Sequence, residues 1–418
     1  MTQPTLPQSG KKERVVWIDQ LKGVAFFFVI LGHMGIPATL ESWIFSFHMP
    51  IYFFITGLHF NIDKLAQQKP LDYLKKLAQR LLIPYVWLQL LSMCLRFLQN
   101  TVLQHTETPA ALYLRGMLYV NSKKMDAPSN PLYFVLLLFM AEAALYFLIR
   151  LTKGSRPFVF GLTILLLPLS LLTQSVPLPW HVNVVPTVMF MILCGEVLGR
   201  FYRANEERIK ALTLPRALLW AAALFALGAV LWYCNGRTSI HGNEYGKDFL
   251  PALLAALSTS VALALLTMRL PKMAWLNLAG QNTLLFMGLH KPILLCMEAV
   301  FPQQKTSAWF ILCAAVLCYA IMLPLALWFR SFAPFAIGVN SDFSDWKIKV
   351  GQAVCLVGAT CVPYLYAVNH LKDGLLRSTP LYTCLAAAAY LAICAALYFV
   401  FRRYIRFPFL PETQEAAA

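Results

Sequence analysis

Charge is what this chain has little of. Only 13% of its 418 residues are Asp, Glu, Lys or Arg, while 59% are apolar. A soluble globular domain carries about twice that share of charge, so most of the surface of this chain must face something other than water. Cysteine is present but never in a useful spacing: the ten residues fall almost all inside apolar runs, with no CxxC and no Cys/His cluster. They read as small apolar side chains, and no metal is expected. A cleavable leader is not expected either. The first residues are polar and end in Lys11, Lys12, Glu13 and Arg14, and the apolar stretch behind them is long and carries charges. No GxSxG elbow is visible, which removes the usual serine-hydrolase arrangement. The net charge of +16 points to orientation in a bilayer, because basic loops hold membrane helices in place, and no nucleic acid partner is expected.

What is there is a series of apolar runs, each about 20 residues and long enough to span a bilayer as a helix. Twelve are read from the sequence, at 16–36, 43–61, 81–101, 131–151, 157–175, 184–202, 216–234, 249–269, 281–300, 307–329, 351–369 and 381–401. If the N-terminus is cytoplasmic, the outer loops hold only Arg115, Lys123, Lys124, Arg237, Lys247, Lys305, Lys372 and Arg377. Lys22, Arg96 and Lys291 lie deeper within spans, and the rest of the 35 cations fall inside or at the inner ends of spans. That bias predicts both termini on the cytoplasmic side. The expected fold is an all-α polytopic membrane protein. Its parts are a tail at 1–15, a transmembrane body at 16–338, a linker and additional helix pair at 339–403, and a tail at 404–418. The polar segment 102–130 is expected to form a small cap on the outer face.

The first span, WIDQLKGVAFFFVILGHMG, is interrupted by Asp19, Lys22 and His33. At about 100° per residue, the step from Lys22 to His33 is close to three full turns, so both share one face about 16 Å apart. Asp19 precedes Lys22 by one turn and joins them. A charge inside a bilayer costs about 2.5–3.5 kcal/mol on insertion scales, so this stripe should face a cavity. The bland alternative is an ion pair at one helix end and an interfacial histidine at the other. The short segment between the first two spans makes them neighbours and puts His48, in FHMPIYFF, at the depth of His33. Two histidines at one depth suit proton transfer. Pro50 should bend the second helix or begin it.

Three further groups stand out. Lys75, Lys76 and Arg80, in YLKKLAQRLLIPY, lie on the side of Lys22 and together would make a phosphate clamp. His290 and Lys291 fall near the middle of a span in GQNTLLFMGLHKP, where a lysine requires a cavity or a partner. His181, in PLPWHVN, is a further candidate for the outer site.

Taken together, WIDQLKGVAFFFVILGH, FHMPIYFFITG, KKLAQRLLIPY, NPLYF at 130–134, GQNTLLFMGLH and APFAIG at 333–338 resemble acyltransferase family 3. These are membrane O-acetyltransferases related to fucose 4-O-acetylases and enterobacterial common antigen acetyltransferases. Lys22 and His33 fit the family pattern of a basic residue, ten residues and a histidine. The resemblance implies a ten-helix bundle, here followed by an extra pair. It implies transfer of an acyl group, usually acetyl, from cytoplasmic acetyl-CoA to a hydroxyl of a lipid-linked or cell-envelope carbohydrate in a bacterial inner membrane. His33, His48 and His290 would be catalytic. Asp19, Lys22, Lys75, Lys76 and Arg80 would hold the CoA. Besides acyl-CoA and the carbohydrate acceptor, membrane lipids are the expected partners, and a homo-oligomer stays open. Whether His33 acts as base or carries the acyl group stays open too. The rival reading is a twelve-helix secondary transporter; against it, no repeat relates the two halves.

Overall fold

The Asp19–Lys22–His33 stripe lies on the central helix of the molecule. In the computed structural model, which describes residues 15–120, 126–174, 176–339, 341, 344–375, 384, 388–392 and 394–396, α1 runs Val16–Gly32 and His33 closes its C-terminus. Then follow α2 (Ala38–Phe47), α3 (Pro50–Leu58), α4 (Ile62–Gln67), α5 (Pro70–Phe97), α6 (Ala110–Tyr119), α7 (Tyr133–Leu151), α8 (Arg156–Leu172) and α9 (Val185–Ala204). The second half holds α10 (Glu206–Lys210), α11 (Leu214–Asn235), α12 (Phe249–Thr267), α13 (Ala274–Gln281), α14 (Thr283–Val300), α15 (Ala308–Phe332) and α16 (Trp346–Leu375). Between α11 and α12 a two-stranded hairpin pairs β1 (Thr238–Ser239) with β2 (Glu244–Tyr245) antiparallel, Thr238 opposite Tyr245. The fold is all-α and polytopic, apart from this hairpin.

Eight helices among the described residues are long and apolar enough to cross a membrane, against twelve expected spans. The differences have local causes. α1 and α8 are each 17 residues, one short turn below a full crossing. The second expected span is two helices, broken at His48–Met49, because Pro50 has no N–H to continue the ladder and sits in the first turn of α3. The twelfth, 381–401, lies largely outside the described residues, as do both expected tails; within it, the Tyr390 hydroxyl donates to the Val357 carbonyl of α16 at 3.0 Å. The segment expected to cap one face does contain a short helix, α6, to which the Trp180 indole is joined through the Leu118 carbonyl at 2.5 Å.

The core is built on close backbone approaches. α1 lies against α13 where a Cβ at Gly280 would collide with the Asp19 carbonyl and one at Gly23 would meet the Leu276 carbonyl at 2.6 Å. Small residues at such crossings replace the hydrophobic drive that is missing inside a bilayer with van der Waals contact. Across the middle, α5 and α14 are joined by the Ser92 hydroxyl donating to the Gly288 carbonyl at 3.0 Å. α15 is joined to α1 by the Tyr319 hydroxyl donating to the Gly23 carbonyl at 3.1 Å. α1 is therefore held on several sides, and its polar stripe faces the interior rather than lipid.

Candidate active site

At one end of α1 the chain leaves the helix through His33, whose N–H still reaches the Ile30 carbonyl at 3.0 Å. The His33 carbonyl has no helical partner left and accepts from Lys291 Nζ at 3.1 Å. A cation at a helix C-terminus also suits the helix dipole. His290, the residue before Lys291 on α14, is fully buried with its ring centroid 5.2 Å from that of His33. On its other side it meets the edge of Phe26 at 5.2 Å. Its Nδ1 lies 2.8 Å from the Phe286 carbonyl. A carbonyl only accepts, so Nδ1 carries the proton and Nε2 the lone pair, and that Nε2 is buried with no hydrogen-bond partner. His48, at the end of α2, repeats the device: its Nδ1 lies 2.9 Å from the Ile44 carbonyl. Both neighbours of His33 are thus fixed in one tautomer by their own helices.

His33, His48 and Lys291 line a cavity of about 350 Å³ with Phe45, Asn130, Tyr133, Arg237, His241 and Glu244. That size is at the lower end of small-molecule sites. His290 stands behind His33 and not in the lining. The hairpin forms one wall, and it is fastened rather than loose. The Asn235 amide donates to the Tyr245 carbonyl at 2.7 Å, the Asn243 amide to the Ser170 carbonyl at 2.9 Å, and the Tyr245 hydroxyl to Thr187 at 2.8 Å. Arg237 reaches Glu41 at 3.6 Å and lies over the Phe45 ring. His181, in the left-handed region at φ 53°, is buried against His241 and Tyr133, one layer behind the lining.

A second cavity, of about 650 Å³, opens at the other end of α1, with Lys22, Tyr52, His59, Arg80, Glu142 and Arg330 among its walls. Lys22 pairs with buried Asp19 at 3.6 Å. Arg80 pairs with Glu142, a buried carboxylate of α7. Lys75 and Lys76 do not line this cavity. Lys76 is one helical turn before Arg80 and exposed, and Lys75 points to another side of α5. Of the five residues expected to hold the CoA, Lys22 and Arg80 line this cavity, and Arg330 of α15 lines it with them. Asp19 supports Lys22 without reaching the cavity wall.

The two cavities nearly meet. Met49 lines the first and Tyr52, one turn along α3, the second; Tyr133 lines the first and Phe134 the second. The Tyr52 and Phe134 rings, 5.8 Å apart, belong to the layer between them, and the Tyr52 hydroxyl donates to the Lys22 carbonyl at 3.0 Å.

Sequence reasoning missed His241, Glu142 and Arg330. For His241 the signal was TSIHGNEYG, where Gly242, Asn243 and Gly246 mark a turn between short polar strands. Glu142 lies alone in an apolar run, which by itself flags a paired or functional carboxylate. Arg330 had no signal beyond its place at a helix end.

The fold and these cavities define a polytopic membrane protein organised around one polar helix with a basic cavity at one end and a histidine-lined cavity at the other. Residues 15–329 match the family model described as acyltransferase domain, that of acyltransferase family 3. The chain belongs to that family and is a membrane acyltransferase, which replaces the transporter reading. No curated protein and no solved structure matches it.

Proposed function

We propose that the chain moves an acetyl group from cytoplasmic acetyl-CoA to a hydroxyl of a lipid-linked or cell-envelope carbohydrate at the other face of a bacterial inner membrane, with both termini cytoplasmic. The observation that carries this reading is the placement of Lys22 and His33 in two adjoining cavities at the two ends of one helix. The CoA phosphates are held by Lys22 and Arg80, whose guanidinium offers paired donors to phosphate. The pantetheine arm is long enough to follow α1 past the Tyr52–Phe134 layer, and brings the thioester to His33. The acceptor hydroxyl enters through the hairpin side. His33 takes its proton as the oxygen attacks the thioester carbonyl, and returns the proton to the departing CoA thiolate. His290 orients the His33 ring from behind, and His48 faces the same cavity with its Nε2 lone pair available.

The test is transfer of radiolabelled acetyl-CoA to an envelope glycan extract by the protein in nanodiscs, with His33→Ala beside it. Label in the glycan with wild type, lost in a His33→Ala protein that folds and still binds CoA, is expected. Label retained on acid-quenched wild type would replace the base with an acyl-histidine relay. Absence of CoA binding and turnover by folded wild type would sink the reading.

A further inference from the structure

The intramembrane cations of this protein differ in one respect. Lys22 faces Asp19 at 3.6 Å, Arg80 faces Glu142 and Arg96 faces Asp126 at 3.3 Å. Lys291 lies within a membrane span, in the same polar interior, and among the described residues it faces no carboxylate at ion-pair distance. Its one hydrogen bond there is to a neutral acceptor, the His33 carbonyl. An ammonium has further N–H donors beyond the one so used, and Lys291 is part of the wall of the His33 cavity. A cation kept in such a place without a fixed anion is arranged for an anion that comes and goes.

Resting on the acyl-transfer reading above, we propose that Lys291 is a catalytic residue that stabilises the oxyanion formed on the acyl carbon during transfer. The acceptor oxygen forms its bond to the thioester carbonyl carbon while His33 takes the hydroxyl proton. The carbonyl π electrons move onto oxygen, and the resulting alkoxide is met by the Lys291 ammonium. The carbonyl then re-forms, the C–S bond breaks, and the thiolate takes the proton from His33. Lys291 ends the cycle as it began, an ammonium. The bond to the His33 carbonyl ties the charge to the base, so both groups move as one unit when α1 or α14 shifts. A preorganised donor in a site shielded from water is among the largest single contributors to acyl transfer, and removing one typically costs about 100-fold in turnover. Lys291 also closes the C-terminus of α1, and a purely structural role would appear as lost stability with turnover intact in whatever protein folds.

The experiment compares wild type, Lys291→Met and Lys291→Gln in nanodiscs, using acetyl-CoA with an envelope glycan extract, and reads kcat and the KM for acetyl-CoA separately. Thermal unfolding and CoA binding are measured on the same samples. The expected result for Lys291→Met is a kcat about 100-fold down with the KM for acetyl-CoA within about 3-fold of wild type. Lys291→Gln, which keeps a neutral donor, falls between the two and serves in place of the Met variant if that protein does not fold. A folded variant with kcat within about 3-fold of wild type, or a loss confined to KM, overturns the assignment of Lys291 and leaves the acyl-transfer reading standing. Absence of transfer by wild type itself overturns that reading instead.

Discussion

His33 and His290 stand with their ring centroids 5.2 Å apart, one on the cavity wall and one buried behind it with its Nε2 unpartnered. The rear histidine is fully buried, and in the proposed mechanism it sets the orientation of the front one. Replacing His290 with Ala leaves a hole beside Phe26 as well as an unsupported His33. A turnover about 10- to 100-fold lower is expected, together with a loss of roughly 2 kcal/mol or more in stability from the cavity. His33→Ala, at a half-buried position on the cavity wall, should lose activity with a smaller change in stability. Paired kinetics and thermal melts of the two variants check this split, and equal stability losses would contradict it.

Lys22 and Arg80 line the larger cavity, and Lys75 and Lys76 do not. Lys22→Met and Arg80→Met should each raise the KM for acetyl-CoA by about 10-fold, with a salt dependence that weakens in the variant. Lys75→Ala and Lys76→Ala should stay within about 2-fold of wild type, since neither lines the cavity and the exposed Lys76 contributes little. A comparable KM increase in the latter pair would return them to the clamp.

Gly280 touches the backbone of α1 beside Asp19, where no Cβ fits. Gly280→Val should push α13 from α1, cost about 1–3 kcal/mol, and weaken CoA binding by moving Lys22. Thermal unfolding and CoA titration of the variant measure both effects, and unchanged binding at lowered stability would show that the contact serves packing alone.

Asp63, on the short helix α4 outside the spans, is held below the usual carboxylate range by its hydrogen bond from Arg156. A lowered folded-state pKa adds stability above the unfolded value of about 3.9, and that stability is lost as pH falls through the folded value. Wild type should therefore melt slightly above Asp63→Asn at pH 7, and the gap should close below about pH 4. The effect is small because the pair is open to solvent. A gap that widens on acidification would contradict the ion pair.

Much of this protein is present in its periodicity. Eight of the twelve expected spans follow from run length, the break before α3 from Pro50, and the shared face of Lys22 and His33 from the helical repeat, because each depends only on neighbours along the chain. The family was legible in the same local motifs. What the sequence left open depends on how helices pack. Lys75 and Lys76 read as equals of Arg80, yet the packing of α5 against α7 turns Arg80 toward Glu142, and α15 brings Arg330 to the same cavity from far along the chain. His290 is a neighbour of His33, and Lys291 a cap on α1, only because α14 passes the end of α1 at that depth. His241 reaches the cavity through a hairpin fastened by Asn235, Asn243 and Tyr245. Those distances are set by side-chain volume, glycine contacts and paired polar groups between remote segments, and no repeat along the chain encodes them.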